Sequence, residues 1–165
     1  MTRIHWQNGM IVAATLQDGR TYHALLLEFP WVAFYDGSDP DADTSMDEVV
    51  GRPVARILAM HKDLLKTWYP VGTTTPDQRP ALPTGQFLQE ADEPERIRIL
   101  DVATDQIRPA DFEEAQGLEA AAVWEPEHVA DYLVARTRGE TDIWTESLRL
   151  INPSHHRNSG EENPS

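Results

Sequence analysis

The amino-acid sequence predicts an α+β fold, and three observations carry this prediction. Turn dipeptides separate strand-forming runs in the first 30 residues, a later segment has apolar residues at helical spacing, and the rest mixes both patterns. We expect an N-terminal antiparallel β-meander of three to four strands packed on an amphipathic helix, followed by a smaller mixed α/β half. The 165 residues include no Cys, which excludes disulfides and thiolate metal sites.

The meander is predicted from two hairpin turns. Asn8-Gly9 and Asp18-Gly19 both suit two-residue turns that need a positive φ. They separate three runs that we interpret as antiparallel strands, namely Thr2–Gln7, Met10–Gln17 and Arg20–Phe29. After Pro30, Trp31–Tyr35 is predicted as a fourth strand.

The amphipathic helix is predicted at Pro53–Tyr69. Pro53 suits a first helical position, and Pro70 would end the helix. One face of this helix collects Val54, Ile57, Leu58, His61, Leu64, Leu65 and Trp68. The other face carries the cations Arg52, Arg56, Lys62 and Lys66. On the apolar face, His61 is expected to be a hydrogen-bonded core histidine.

The second half is predicted as short elements after a long Pro-rich loop, 70–94, which holds a short strand at Gln86–Gln89. A helix from Pro126 to Arg138, closed by Gly139, has boundary signals at both ends. The other elements are a strand at Glu95–Val102, a helix at Pro109–Gln116, a strand at Ala120–Trp124 and a helix within Thr141–Ile151. We predict one domain over 1–152, with sub-division in the loop 70–94 as the alternative, and a disordered tail over 153–165.

The chain is strongly acidic, with 28 Asp and Glu against 14 Lys and Arg. This charge disfavours direct binding to nucleic acid or to anionic membranes. Since the sequence contains neither a signal-peptide pattern nor an apolar run of about 20 residues, a cytoplasmic protein is expected. Two stretches, Thr21–Gly51 and Pro109–Ala135, lack Lys and Arg and carry seven acidic residues each.

The first stretch contains an acidic loop, formed by Asp36, Asp39, Asp41, Asp43, Asp47 and Glu48. The alternation at Asp39, Asp41 and Asp43 is similar to a calcium loop, but the sixth and twelfth positions are Thr44 and Val50 instead of Gly and Glu. We therefore favour a solvated acidic loop, with a calcium site as the alternative. Glu48 and Arg52 are expected to pair at i, i+4, and Ser45 with Glu48 has capping-box spacing.

The second stretch has no cation within it to neutralise its acidic side chains. Asp111 and Glu127 sit where helix N-termini favour anions. The remaining acidic residues make the half of the chain that contains this stretch the preferred interaction surface. We predict that partner binding depends on Glu113, Glu114, Glu119 and Asp131.

A short segment has a family resemblance. Val12–Glu28, with Leu16-Gln17-Asp18-Gly19-Arg20-Thr21-Tyr22 at its turn, resembles the strand–turn–strand of small Sm-like or SH3-like barrels. The resemblance covers about a tenth of the chain, and Ala24 stands where the Sm pattern often has Gly. It implies a hairpin within a small barrel; the acidity argues against the RNA binding of Sm-like proteins.

Catalytic and cofactor motifs are not found in the sequence, which lacks a Gly-x-Ser-x-Gly elbow, a phosphate-binding Gly loop and a His-Glu-x-x-His metal motif. His128 and Asp131 lie one helical turn apart, a spacing that could serve a proton or a metal. His155-His156 lies in the predicted tail. We assign no catalytic residue, metal or cofactor.

These observations predict a non-enzymatic module that binds a basic surface of a partner protein, including one that normally holds nucleic acid. Small acidic inhibitors and nucleic-acid mimics of phages and mobile elements are the class analogy. The first alternative is a structural or assembly component of a phage or secretion complex. The second is a small enzyme whose site combines distant residues such as His61 and His128.

Overall fold

The computed structural model describes residues 3–157, and the fold is α+β. Ten strands form within these residues: Met10–Thr15 (β1), Thr21–Leu26 (β2), Trp31–Tyr35 (β3), Val54–Met60 (β4), Tyr69–Thr73 (β5), Gly85–Glu90 (β6), Glu93–Asp101 (β7), Ile107–Ala110 (β8), Glu119–Ala120 (β9) and Val123–Trp124 (β10). Five α-helices accompany them: Met46–Val50 (α1), Phe112–Ala115 (α2), Pro126–Thr137 (α3), Ile143–Ser147 (α4) and Pro153–Arg157 (α5).

The chain divides into two compact units, each made of two segments. Unit 1 comprises 1–82 and 122–146, and unit 2 comprises 83–121 and 147–165. The first division, after Leu82, falls inside the Pro-rich segment that we predicted as a loop. No helix within the described range has the length and apolar character needed to cross a membrane.

Unit 1 is built on a six-stranded sheet in the order β10-β4-β3-β2-β1-β5. The chain runs antiparallel from β1 to β4, and β5 then pairs antiparallel with the free edge of β1. The hairpin that the resemblance of Val12–Glu28 implies is present as β1 and β2. A strand order by itself assigns no function.

The start of the predicted meander differs from the structure. Residues 3–7 are not a strand, and Thr2 lies outside the described residues. The edge of β1 that this run would need is occupied by β5. The run is held by side chains instead: Trp6 Nε1 donates to the Leu27 carbonyl at 2.8 Å, and its ring meets Phe29 edge-on at 5.0 Å.

The predicted helix Pro53–Tyr69 is wrong. Its first half is β4, which pairs antiparallel with β3 and parallel with β10. A strand covered on both faces has no polar alternation, so its apolar run resembles one face of a helix. Its second half is a 3-10 turn at Lys62–Lys66 that buries Leu64. Pro70 lies in the edge strand β5, where a proline is tolerated.

The core of unit 1 is formed by the sheet and by α3. Phe34 and Trp68 are both buried and meet edge-on with ring centroids 5.8 Å apart. The predicted helix after Trp124 is confirmed: Pro126 begins α3, which buries Val129 and Leu133 among other residues. These contacts place the last turns of α3 beside residues of the sheet, and together they line a groove of unit 1.

Unit 2 is smaller and has a four-stranded sheet in the order β8-β7-β6-β9. The strand predicted at Gln86–Gln89 is confirmed by β6, but the loop 70–94 around it is also partly regular, because β5 overlaps its start and β7 begins before its end. Its core is formed by Phe87, Ile97 and Ala115, against which the partly buried Leu118 and Leu150 pack among others. α2 confirms the short helix predicted before Gly117, over a shorter range.

One side chain makes several hydrogen bonds that hold the C-terminal segment of unit 2. Gln89 Oε1 accepts from the Ile151 amide, and Gln89 Nε2 donates to the carbonyls of Ile151 and Pro94, each at 2.8 Å. The helix α5 follows at Pro153–Arg157, within the segment predicted as a disordered tail. The rest of that prediction, 158–165, lies outside the described residues.

Candidate functional site

The acidic loop 36–48 is joined to its own unit by a buried ion pair. The Asp39 carboxylate receives Arg52 Nη2 on Oδ1 at 2.7 Å and Arg52 Nη1 on Oδ2 at 3.0 Å. The Asp39 side chain is only 10% exposed. The backbone of Asp39 also bridges to Thr21 through reciprocal hydrogen bonds of 2.8 and 2.9 Å. The loop is thus anchored by its most buried acidic residue.

The predicted Glu48–Arg52 pair is confirmed, with Nη2 3.4 Å from Oε1. Ser45 caps α1 by accepting from the Glu48 amide at 3.3 Å, as its spacing predicted. Arg52 therefore contacts two acidic side chains, of which Asp39 is the closer. Asp36 is also paired, because it accepts from Arg136 Nε at 3.1 Å.

His23 extends the buried pair at Asp39. Its Nδ1 lies 3.5 Å from Asp39 Oδ2, and the side chain is 2% exposed. Burial lowers the pKa of His23 below the ordinary histidine value, so the neutral form is favoured in the fold. The hydrogen bonds from Arg52 lower the pKa of Asp39, against the opposing effect of its own burial. The group is a neutral imidazole beside a salt-bridged carboxylate, and sequence reasoning missed it.

The other acidic residues of the loop are exposed. Asp41 Oδ1 accepts from the Asp43 amide at 3.0 Å, and Asp47 lies in the first turn of α1. Within residues 3–157, no group of three or more His, Asp or Glu side chains is arranged to hold a metal ion. Because Asp39 is bound to Arg52, the calcium-like series has lost its first carboxylate to an ion pair.

The four residues predicted to bind a partner belong to different units. Glu113 and Glu114 lie on α2, and Glu119 begins β9, all in unit 2, whereas Asp131 lies on α3 in unit 1. Asp111 caps α2 by accepting from the Glu114 amide at 2.8 Å. Their role in binding stays a prediction.

A cation outside the stretch Pro109–Ala135 neutralises one of these residues. Arg108 Nη1 lies 2.6 Å from Glu114 Oε2, although both side chains are about half exposed. Arg108 immediately precedes the cation-free stretch in the sequence, so its ion pair with Glu114 could have been expected from the sequence. Surface pairs of this kind stabilise a fold by at most about 1 kcal/mol.

Asp131 is engaged by an aromatic residue that the sequence did not single out. Trp144 Nε1 donates to Asp131 Oδ2 at 2.9 Å, and Gln17 Nε2 lies 3.5 Å from Oδ1. The Trp144 ring stacks on His128 with centroids 3.6 Å apart. His128 and Asp131 therefore both contact Trp144, which joins α4 to α3.

The prediction for His61 is wrong. The residue is not in a core but precedes the 3-10 turn, where Nδ1 accepts from the Asp63 amide at 3.2 Å. Its side chain is 40% exposed and lies 3.4 Å from the Asp63 carboxylate. The error follows directly from the helix assigned to this segment. His155 lies in α5 and is exposed.

The cations assigned to one face of the predicted helix also lie elsewhere. The Arg56 guanidinium stands 4.9 Å from the ring centroids of both Trp124 and Tyr132, and its Nη1 donates to Thr145 Oγ1 at 2.8 Å. Arg52 pairs with Asp39, as described above. Lys66 lies 3.2 Å from Asp63.

Unit 2 concentrates the charge that stays unneutralised. Residues 83–121 contain ten acidic and three basic residues. Of the three cations, Arg108 pairs with Glu114 and Arg96 lies 3.7 Å from Glu93.

The chain was compared with protein-family models, with curated proteins and with solved structures, and no significant match was found in any of the three.

Proposed function

We propose that this protein is a binding module without catalytic function that attaches to a basic surface of a partner protein through unit 2. The observation that supports this proposal is the net charge of −7 on residues 83–121. Two of the three arginines there are already within ion-pair distance of a glutamate of the same unit. Charge of one sign on a small surface raises the rate and the selectivity of association with an oppositely charged surface.

The loop 36–48 is the weaker candidate for this contact. Its acidic residues Asp36, Asp39 and Glu48 are bound to arginines of their own unit. A partner cation would have to displace Arg52 from a bidentate contact to reach Asp39. Asp41 and Asp43 remain exposed and provide a matched comparison for the acidic residues of unit 2.

Glu113 is the most informative residue for the test. It is exposed on α2, whereas Glu114 is held by Arg108 and Asp131 by Trp144. The double variant Glu113→Lys/Glu114→Lys changes the net charge by four units. The control Asp41→Lys/Asp43→Lys changes it by the same amount on the other unit.

The experiment is capture of host proteins on the immobilised full chain at low and high salt. We expect a basic partner that is released by salt, because screening weakens contacts between exposed charges. The unit 2 variant should lose this partner and the control variant should retain it. Equal loss with both variants would show that net charge alone drives capture, and loss with the control alone would place the surface on unit 1.

A further inference from the structure

Unit 1 contains a groove of about 390 Å³. It is lined by Tyr22 of β2 and Tyr35 of β3, by Ser38 in the loop that follows, and by Leu133 and Arg136 of α3, among others. Its volume falls within the range of small-molecule pockets, about 300–1,000 Å³. The groove belongs to unit 1, whereas the proposed function rests on acidic residues of unit 2.

Tyr35, which lines this groove, has a hydroxyl without a hydrogen-bond partner in the described part of the chain. The residue is 3% exposed, and its Oη is buried without a hydrogen-bond partner among the described residues. Burial raises the pKa of Tyr35, so the hydroxyl keeps its proton and remains a donor. Nearly all buried polar groups in folded proteins find a partner, so an unpaired one needs an explanation.

One arginine in the groove has no carboxylate partner among the described residues. Arg20 Nε donates to Ser38 Oγ at 2.6 Å and Nη2 to the Ser38 carbonyl at 2.9 Å, and both acceptors are neutral. Among the described residues, no carboxylate lies within ion-pair distance of Arg20. Arg136 is paired with Asp36. Arg20 is therefore the cation of the lining that no carboxylate neutralises directly, although the Asp18 carboxylate accepts a hydrogen bond from Tyr22 of the same lining.

Two neighbouring hydroxyls are already engaged. Tyr22 Oη donates to Asp18 Oδ2 at 2.6 Å and lies 2.9 Å from Thr137 Oγ1. The donors with remaining capacity are therefore Tyr35 and the two arginines. Guanidinium groups bind carboxylates through paired, charge-assisted hydrogen bonds.

We propose that this groove binds a small molecule through a single carboxylate group, held by Arg20, Arg136 and the Tyr35 hydroxyl. One negative charge matches Arg20, the one arginine of the lining without a carboxylate partner among the described residues. A doubly charged phosphate would bring a second negative charge toward Asp36 and Asp18. The side chain of Leu133 and the tyrosine rings offer apolar surface to the rest of the ligand.

The test uses the full chain and three probes: benzoate, acetate and inorganic phosphate. Binding is followed by the NMR signals of the arginine Nε–Hε groups and by the rise in melting temperature. We expect benzoate to shift the Arg20 and Arg136 signals saturably and to bind more tightly than acetate, which lacks a ring. Tighter binding of phosphate would overturn the assignment to a carboxylate, and the lack of saturable shifts with all three probes would overturn the site.

Two variants separate a binding role from a structural one. Tyr35→Phe should weaken benzoate binding about tenfold, yet leave the melting temperature of the free protein unchanged or higher, because it removes a buried donor without a partner. Arg20→Gln should weaken binding at least as much. The control Arg138→Gln changes an exposed arginine that follows the same helix and is outside the groove. Unchanged affinity in both groove variants, or an equal loss in the control, would refute the proposal.

Discussion

The two units carry equal net charge but differ in how their acidic side chains are paired and exposed. Each has a net charge of −7, although unit 1 has 107 residues and unit 2 has 58. In unit 1 the buried carboxylate of Asp39 is neutralised by Arg52, and Asp36 is paired with Arg136. In unit 2 the ion pairs are exposed, and among the described residues a larger share of the acidic side chains faces solvent than in unit 1. Net charge by itself is therefore a poor guide to the charge that a partner could meet.

The units also differ in how their cores are built. Unit 1 buries large side chains along a six-stranded sheet, whereas unit 2 has a small cluster around Phe87, Ile97 and Ala115. A small cluster loses a larger share of its packing when one side chain is removed. The following predictions test this contrast, from the largest expected effect to the smallest.

Phe87→Ala is expected to destabilise unit 2 by about 3–5 kcal/mol, the usual cost of truncating a buried Phe. Hydrogen exchange should then accelerate at the amides of β6 and β7 and much less at those of β2 and β3. The matched variant Phe34→Ala, in unit 1, should produce the reverse pattern. If Phe87→Ala accelerated exchange equally in both sheets, the two units would unfold together and the contrast would fail.

Asp39→Ala should lower the free energy of unfolding by about 3 kcal/mol, since it leaves Arg52 largely buried without its closest anion. Glu48 is too exposed to replace that contact. The control Asp41→Ala removes an exposed carboxylate and should change stability by less than about 0.5 kcal/mol. Urea denaturation measures both. Similar losses in the two variants would mean that the loop 36–48 is not anchored through Asp39.

Gln89→Ala should detach the segment 147–157 from the rest of unit 2 and lower the free energy of unfolding by about 2 kcal/mol, because three hydrogen bonds are lost. Limited proteolysis and hydrogen exchange of that segment report the change. Gln106→Ala, in the exposed turn between β7 and β8, is the control. Unaltered protection near Ile151 would show that packing of Leu150 alone holds the segment.

Acid should weaken unit 1 in two steps. The pKa of His23 is lowered by burial, so the unfolded state takes up a proton more readily, and stability falls as the pH drops through the ordinary histidine value of 6.5. The pKa of Asp39 is also lowered, chiefly by Arg52, and its contribution is lost only below the ordinary value of 3.8. Unfolding followed against pH should show both steps.

The variant His23→Gln should remove the first step of this acid response, whereas His5→Gln, at an exposed position, should retain it. A first step that persists in His23→Gln would assign it to another group.

The features predicted correctly from the sequence depend on local chemistry. Asp18-Gly19 makes its turn through a glycine at φ +77°, and α3 begins at the proline that its pattern indicated. Ser45 caps α1 and Glu48 pairs with Arg52, which are contacts over three and four residues. Each of these needs only neighbouring residues to form.

The features that were missed depend on partners far along the chain. β4 is a strand because β3 and β10 flank it, although its apolar residues also fit a helical face. Asp39 meets His23 and Arg52 only after the strand β2 has aligned with the acidic loop. Arg20 and Arg136 reach one groove from positions more than a hundred residues apart. Spacing rules carry no information on such pairs.

The alternation of the chain between the units has a consequence for synthesis on the ribosome. Residues 83–121 emerge before β10 and α3, which complete unit 1, and Ile151 follows only after unit 1 is whole. Neither unit can therefore mature before the first segment of the other has left the exit tunnel. A polypeptide shortened to 121 residues would lack part of both units, and any contiguous fragment that holds all of unit 2 also carries the segment 122–146 of unit 1.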